Sequence, residues 1–181
     1  MAHSPGESST ACSKSSTLGN SSRENGDRFS LDSIYTPQAV VDGTAQLVGN
    51  NAASLTKAVE HAASTPKKPL AIADARWDNN TVAFTVRAAA DSGAKLVAVL
   101  AADATGAKIL RGENAGRTLR HVAVARTFKE FSANVADGRP LRLSAGSLSH
   151  DQASAPARLV VFLVDRKSGH VTAVSEQTLG Q

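Results

Sequence analysis

Two runs, AKLVAVLAAD (94–103) and ARLVVFLVD (157–165), are apolar on both of their alternating faces. Each falls well short of the roughly 20 apolar residues that a membrane-spanning helix requires. Short runs of this kind suit strands in the middle of a sheet, flanked on both sides. A chain that carries two of them is committed to building sheets. The stretches around them alternate. In AIADARWD, Ala71, Ala73, Ala75 and Trp77 share one face, and Asp74, Arg76 and Asp78 share the other. Asp78-Asn79-Asn80 then turns the chain, after which Val82, Phe84 and Val86 alternate with Thr81, Thr85 and Arg87, as in a half-buried hairpin. RKSG turns the second apolar run back into HVTAVSEQTL. FKEFSANVADGRPLRLSAGSL (128–148) is expected to give further short strands, split by Asp137-Gly138 and Pro140. Six to eight short strands separated by turn signals predict an antiparallel sandwich.

Composition decides what can fill that sandwich. Hydrophobic residues are 41 % of the 181, but aromatic residues only 4 %, so the core is expected to consist of Ala, Val and Leu. The formal net charge is +4 and the isoelectric point about 9.5. That mild excess, without aromatic side chains on which bases could stack, argues against nucleic-acid recognition. The one cysteine, Cys12, sits in a Ser-rich stretch and has no partner for an internal disulfide. No Cys/His cluster has metal-ligand spacing, so neither metal nor cofactor is expected. As written, the chain shows no signal-peptide core and no membrane span, and the expected location is the cytoplasm.

Three segments are expected. Residues 1–28, rich in Ser, Thr, Gly, Asn and charge, read as a disordered tail. Residues 29–66 read as a β-β-α unit: QAVVDGTAQLVG supplies two strands joined by Asp42-Gly43, a turn signal that calls for positive φ. Asn50 or Asn51 caps a helix in which Leu55, Val59 and Ala62 share a face, with Lys57 and Glu60 turned away. STPKKP serves as linker into an antiparallel β domain over 67–181.

YTPQAVVDGTAQLVG (35–49) and GENAGRTLRH (112–121), in that order and separated by strands, together resemble a family of exported bacterial proteins classed as domain of unknown function 1223. The resemblance covers roughly residues 29–181. It implies a thioredoxin fold followed by a β-rich extension, with Thr36-Pro37 as the threonine and cis-proline that face the redox cysteines. It also implies that members are periplasmic or secreted. This sequence lacks the family's early Cys-x-x-Cys, so a truncated member is expected. The fold class that follows is α+β, mostly β: a partial thioredoxin-like β-β-α unit and then an antiparallel β-sandwich-like domain.

Thiol–disulfide exchange needs an attacking thiolate and usually a resolving thiol. With Cys12 alone, the chain is expected to be redox-inactive and not an enzyme, and no catalytic residue is assigned. The 111–121 stretch is the candidate site. Gly112 and Gly116 permit sharp turning, Glu113 and Asn114 can satisfy loop amides, and Arg111, Arg117, Arg120 and His121 give a basic cluster. One reading is a polar lock to the neighbouring domain; the other is an anion or carboxylate site. With a strand starting at Thr118, Arg120, Val122 and Val124 share a face, and His121 joins Leu119 and Ala123 on the other. His61 suits a helix C-terminus, His150 a polar loop, and His170 the position after a turn. Two alternatives stand beside the redox-inactive reading: a binding module that uses the 111–121 loop for an anionic ligand, and a half-protein completed by a Cys-bearing partner. Sheet edges left unpaired by a missing half also predict self-association.

Overall fold

The structure is a computed structural model that describes residue 29 and residues 37–89, 91–102, 105–108, 110–112, 115–145 and 157–180. The 1–28 tail, Cys12, Thr36, Glu113, Asn114 and His150 therefore lie outside the described residues. The remainder is mostly β with one α-helix, in antiparallel sheets throughout.

Chain order begins with a hairpin, β1 (Gln38–Val41) and β2 (Ala45–Val48), and helix α1 (Ala52–Ser64). Two longer hairpin strands, β3 (Leu70–Asp78) and β4 (Thr81–Ala88), precede β5 (Ala94–Ala102). A small ribbon, β6 (Thr105–Lys108) and β7 (Thr118–His121), leads into β8 (Val124–Ser132). A 3-10 turn at Ala133–Val135 precedes β9 (Asp137–Ser144), and β10 (Ala157–Asp165) and β11 (Val171–Leu179) complete the fold. Seven of these strands form the sandwich: one sheet in the order β11-β10-β5-β8, the other in the order β3-β4-β9.

Both fully apolar runs occupy central positions, β5 between β10 and β8 and β10 between β11 and β5. Their register sets Leu96 beside Leu163, Ala98 beside Val161 and Leu100 beside Leu159 on the inner face, all at most 1 % exposed. Val82, Phe84 and Val86 of β4 and Leu141 and Leu143 of β9 close over them from the facing sheet. The core is Ala, Val and Leu with one large exception. Phe84 stands edge-on to Phe131, with ring centroids 6.4 Å apart and planes at 84°. Trp77, Leu70 and Ile72 pack around its margin.

The first unit forms as its turn chemistry directs. Asp42 and Gly43 both take positive φ, 54° and 73°, and Thr44 N–H donates to the Val41 carbonyl at 3.1 Å. Asn51 caps α1, its side-chain oxygen accepting from Ser54 N–H at 3.0 Å. The inward face of the helix is Leu55, Ala58 and Ala62. Val59, expected on that face, is 50 % exposed, because a hairpin only two strands wide covers a narrow stripe of the helix.

Three local expectations are corrected. On β3 the inward residues are Leu70, Ile72, Ala75 and Trp77, while Ala71 and Ala73 face out. An irregularity in pairing between Ala73 and Arg76, with Asp74 at φ 54°, inserts residues and reverses the alternation part-way along. Pro140 does not split a strand: it pairs with Thr85 inside β9, which is a sheet edge, where a missing N–H is harmless. Asp137-Gly138 likewise opens β9 instead of breaking it. Residues 105–108 form β6.

The seam pocket between hairpin, helix and the 166–169 turn

The β-β-α unit meets the sandwich where two glycine turns stack. Gly43, at the tip of the β1–β2 turn, lies so close to Gly169, in the β10–β11 turn, that a Cβ on Gly43 would fall 2.1 Å from the Gly169 carbonyl oxygen. Val171 N–H donates to the Asp42 carbonyl at 3.1 Å, and Lys68 N–H to the Thr172 carbonyl at 2.8 Å. The first of these bonds crosses between the two units, and the second ties the linker to β11.

Three side chains complete the seam. Lys67 Nζ donates to both Asp42 carboxylate oxygens, at 2.6 and 2.5 Å, and to the Val171 carbonyl at 2.6 Å. His170 Nε2 lies 3.0 Å from Asp42 Oδ2 and 3.1 Å from Lys67 Nζ. Asp42 is 12 % exposed and Lys67 23 %, so the pair is largely desolvated and its geometry fixed. Sequence reasoning assigned each of these residues a local duty only: Asp42 a turn, Lys67 a linker, His170 the residue after a turn. Asp42 and His170 are 128 positions apart, and no local pattern announces such a contact.

Beside this cluster opens a cleft of about 390 Å³ lined by ten residues, with Val41, Ala45, Ala58 and Ala62 as its apolar wall and His61 and His170 among its polar ones. Its size matches pockets that hold small molecules. The turn that carries His170 is organised by Asp165. Its Oδ1 accepts from Ser168 N–H and from the Ser168 hydroxyl, both at 2.7 Å, and from Lys167 N–H at 3.1 Å. These bonds, from Ser168 above all, hold the Asp165 carboxyl below its usual pKa, with the nearby His170 adding to the effect. A carboxylate with a lowered folded-state pKa contributes stability above its unfolded value of about 3.9 and loses it as pH falls through the folded value. Below about pH 4 the 166–169 turn is therefore expected to loosen before the sandwich does. Amide shifts of Lys167 and Ser168 that stayed constant down to pH 2 would contradict this.

The 111–121 stretch lies elsewhere on the molecule. Gly112 and Gly116 have φ of 86° and 83°, and Ala115 N–H donates to the Gly112 carbonyl at 2.9 Å. Arg111 and Arg117 are exposed. Arg120 and His121 belong to β7 and pair with Gly106 and Thr105 of β6. The expected alternation from Thr118 to Val124 is interrupted: β7 ends at His121, and Ala123 at φ 52° bends the chain into β8. Pro37 is exposed just before β1, its carbonyl accepting from Gly49 N–H at 2.8 Å. Among the described residues, no set of three or more His, Cys, Asp or Glu groups could hold a metal ion, and no helix is long and apolar enough to cross a membrane.

The fold is similar to the crystal structure of an Agrobacterium tumefaciens protein, with a TM-score of 0.54 at 11 % identity. That likeness covers 90 % of this chain and 70 % of the other. No curated protein matches the chain. The family described as protein of unknown function (DUF1223) matches residues 15–164, from the Ser-rich stretch into β10, and the chain belongs to that family.

Proposed function

We propose that this protein is a ligand-binding module whose site is the seam between the β-β-α unit and the sandwich, and that it carries out no thiol–disulfide exchange. The observation that carries the reading is the seam cleft: apolar walls, two imidazoles at its rim and a rigid Asp42–Lys67–His170 cluster beside it. Concave, mostly apolar sites with a few convergent polar groups are where small ligands bind. Thiol chemistry finds no support, since the sequence holds one cysteine. The reading includes the division into units at 29–66 and 67–181, and descent of the first from a thioredoxin-like ancestor in an exported lineage.

Ala62→Trp, which would fill the cleft from the C-terminal end of α1, tests the reading. Small organic fragments titrated into the labelled protein are expected to shift the amides of Val41, Asp42, Ala58 and His170. In the tryptophan variant those shifts should vanish while the sandwich amides keep their positions. Fragment shifts that ignore the substitution would place binding elsewhere. A second reading, an anionic ligand on the 111–121 loop, is favoured by the exposed Arg111 and Arg117 beside left-handed glycines. It predicts that inorganic phosphate shifts the Gly112 and Gly116 amides instead.

A further inference from the structure

The hydrogen-bonding groups around the seam cleft divide into those already engaged and those free. Several strong acceptors are engaged. Both Asp42 oxygens take Lys67 Nζ, and Oδ2 also meets His170. At the end of α1, the His61 carbonyl accepts from the hydroxyls of Ser64 at 2.7 Å and Thr65 at 3.4 Å. The Ala62 carbonyl accepts from Thr65 N–H at 3.1 Å. The Ser168 hydroxyl donates to Asp165 and accepts from His170 N–H. Among the side chains that line the cleft, groups without a partner in the described residues include the His61 ring, His170 Nδ1 and the Thr44 hydroxyl. Each of them can donate as well as accept.

His170 is set up to donate by its neighbours. When Nε2 accepts from Lys67, the ring's proton sits on Nδ1 and Nδ1 becomes a donor. When the ring is doubly protonated, Nε2 donates to Asp42 and Nδ1 is again a donor. In the neutral tautomer with Nε2–H on Asp42, Nδ1 is an acceptor, so a ligand acceptor at Nδ1 selects the first two forms. Lys67 meanwhile neutralises Asp42, so the cluster does not repel a negative group. Val41, Ala45, Ala58 and Ala62 supply an apolar wall with no further polar demand.

We propose that the seam cleft binds a small carboxylate with an aliphatic tail, the carboxylate bonded by His61 and His170 Nδ1 and the tail laid on Val41, Ala45, Ala58 and Ala62. The proposal rests on the seam reading above and narrows it to one chemical class. A carboxylate offers acceptors to both imidazoles, which a purely apolar or a cationic ligand does not.

The test uses three probes with the same tail: hexanoate, hexanol and hexylamine. Each is titrated into the full chain while the ring C–H resonances of His61 and His170 are followed by NMR. Hexanoate is expected to shift both rings saturably, hexanol to bind about tenfold more weakly, and hexylamine to leave both unmoved. His61→Gln and His170→Gln are each expected to weaken hexanoate about tenfold and leave hexanol unchanged. His61 is exposed near the end of α1, so its variant keeps the test valid if His170→Gln loosens the seam. Hexanol or hexylamine binding as tightly as hexanoate, or an unchanged hexanoate affinity in His61→Gln, would overturn the carboxylate assignment and leave the seam reading standing. No response from any probe at the cleft residues would defeat both.

Discussion

Phe84→Ala is expected to destabilise the protein by about 3–5 kcal/mol, as large-to-small changes at buried aromatic positions do. The ring is 1 % exposed and lies between the two sheets, paired through β4 with Leu141 and edge-on to Phe131. Among the described residues, a core made chiefly of Ala, Val and Leu has no other fully buried ring to take its place. The alanines of the core cluster, Ala98 and Ala173 among them, are too short to fill such a void, so the cavity stays open and its cost adds to the lost transfer energy. Urea unfolding of the purified chain measures this directly. A loss under about 1 kcal/mol would mean that the sheets do not meet around this ring.

Gly43→Ala is expected to open the seam without unfolding the sandwich. Two costs apply, and a control separates them. The first is the left-handed backbone, φ 73°, worth roughly 1–2 kcal/mol for an L side chain. The second is collision: the new methyl would lie 2.1 Å from the Gly169 carbonyl oxygen, which is backbone and cannot swing aside. Gly112→Ala carries the first cost alone, since its φ is 86° and no atom lies within 4 Å of the position a Cβ would take. Gly112→Ala should therefore cost about 1 kcal/mol. Gly43→Ala should cost about 1–3 kcal/mol more, with the Val171-to-Asp42 hydrogen bond lost. Hydrogen exchange gives the spatial signature: faster exchange in β1, β2 and α1, with protection in β5 and β10 retained. Equal effects of the two substitutions would show that the turns do not press on each other.

Which parts of this fold were legible in the sequence follows from the range of the interactions involved. The alternation of Val82, Phe84 and Val86, the doubly apolar β5 and β10, the Asp42-Gly43 turn and the Asn51 cap are all encoded within a few residues. Each was therefore readable. The irregularity at Asp74 was not, because AIADARWD alternates in either phase and only the facing β4 decides which residues point inward. Pro140 misled for a similar reason: a proline ends a central strand but is tolerated in an edge strand, and edge position is a property of the whole sheet. The seam cluster was the least legible. Lys67 reaches across 25 positions to Asp42 and 103 to His170, and nothing in STPKKP distinguishes a buried lysine from a solvated one.

The stacked turns also impose an order on biosynthesis. The β1–β2 hairpin and α1 leave the ribosome early, yet the surface they dock on, Gly169 to Thr172, is translated more than a hundred codons later. A two-stranded hairpin is at best marginally stable on its own. The nascent β-β-α unit therefore waits, loosely formed, until the β10–β11 hairpin closes and clasps it.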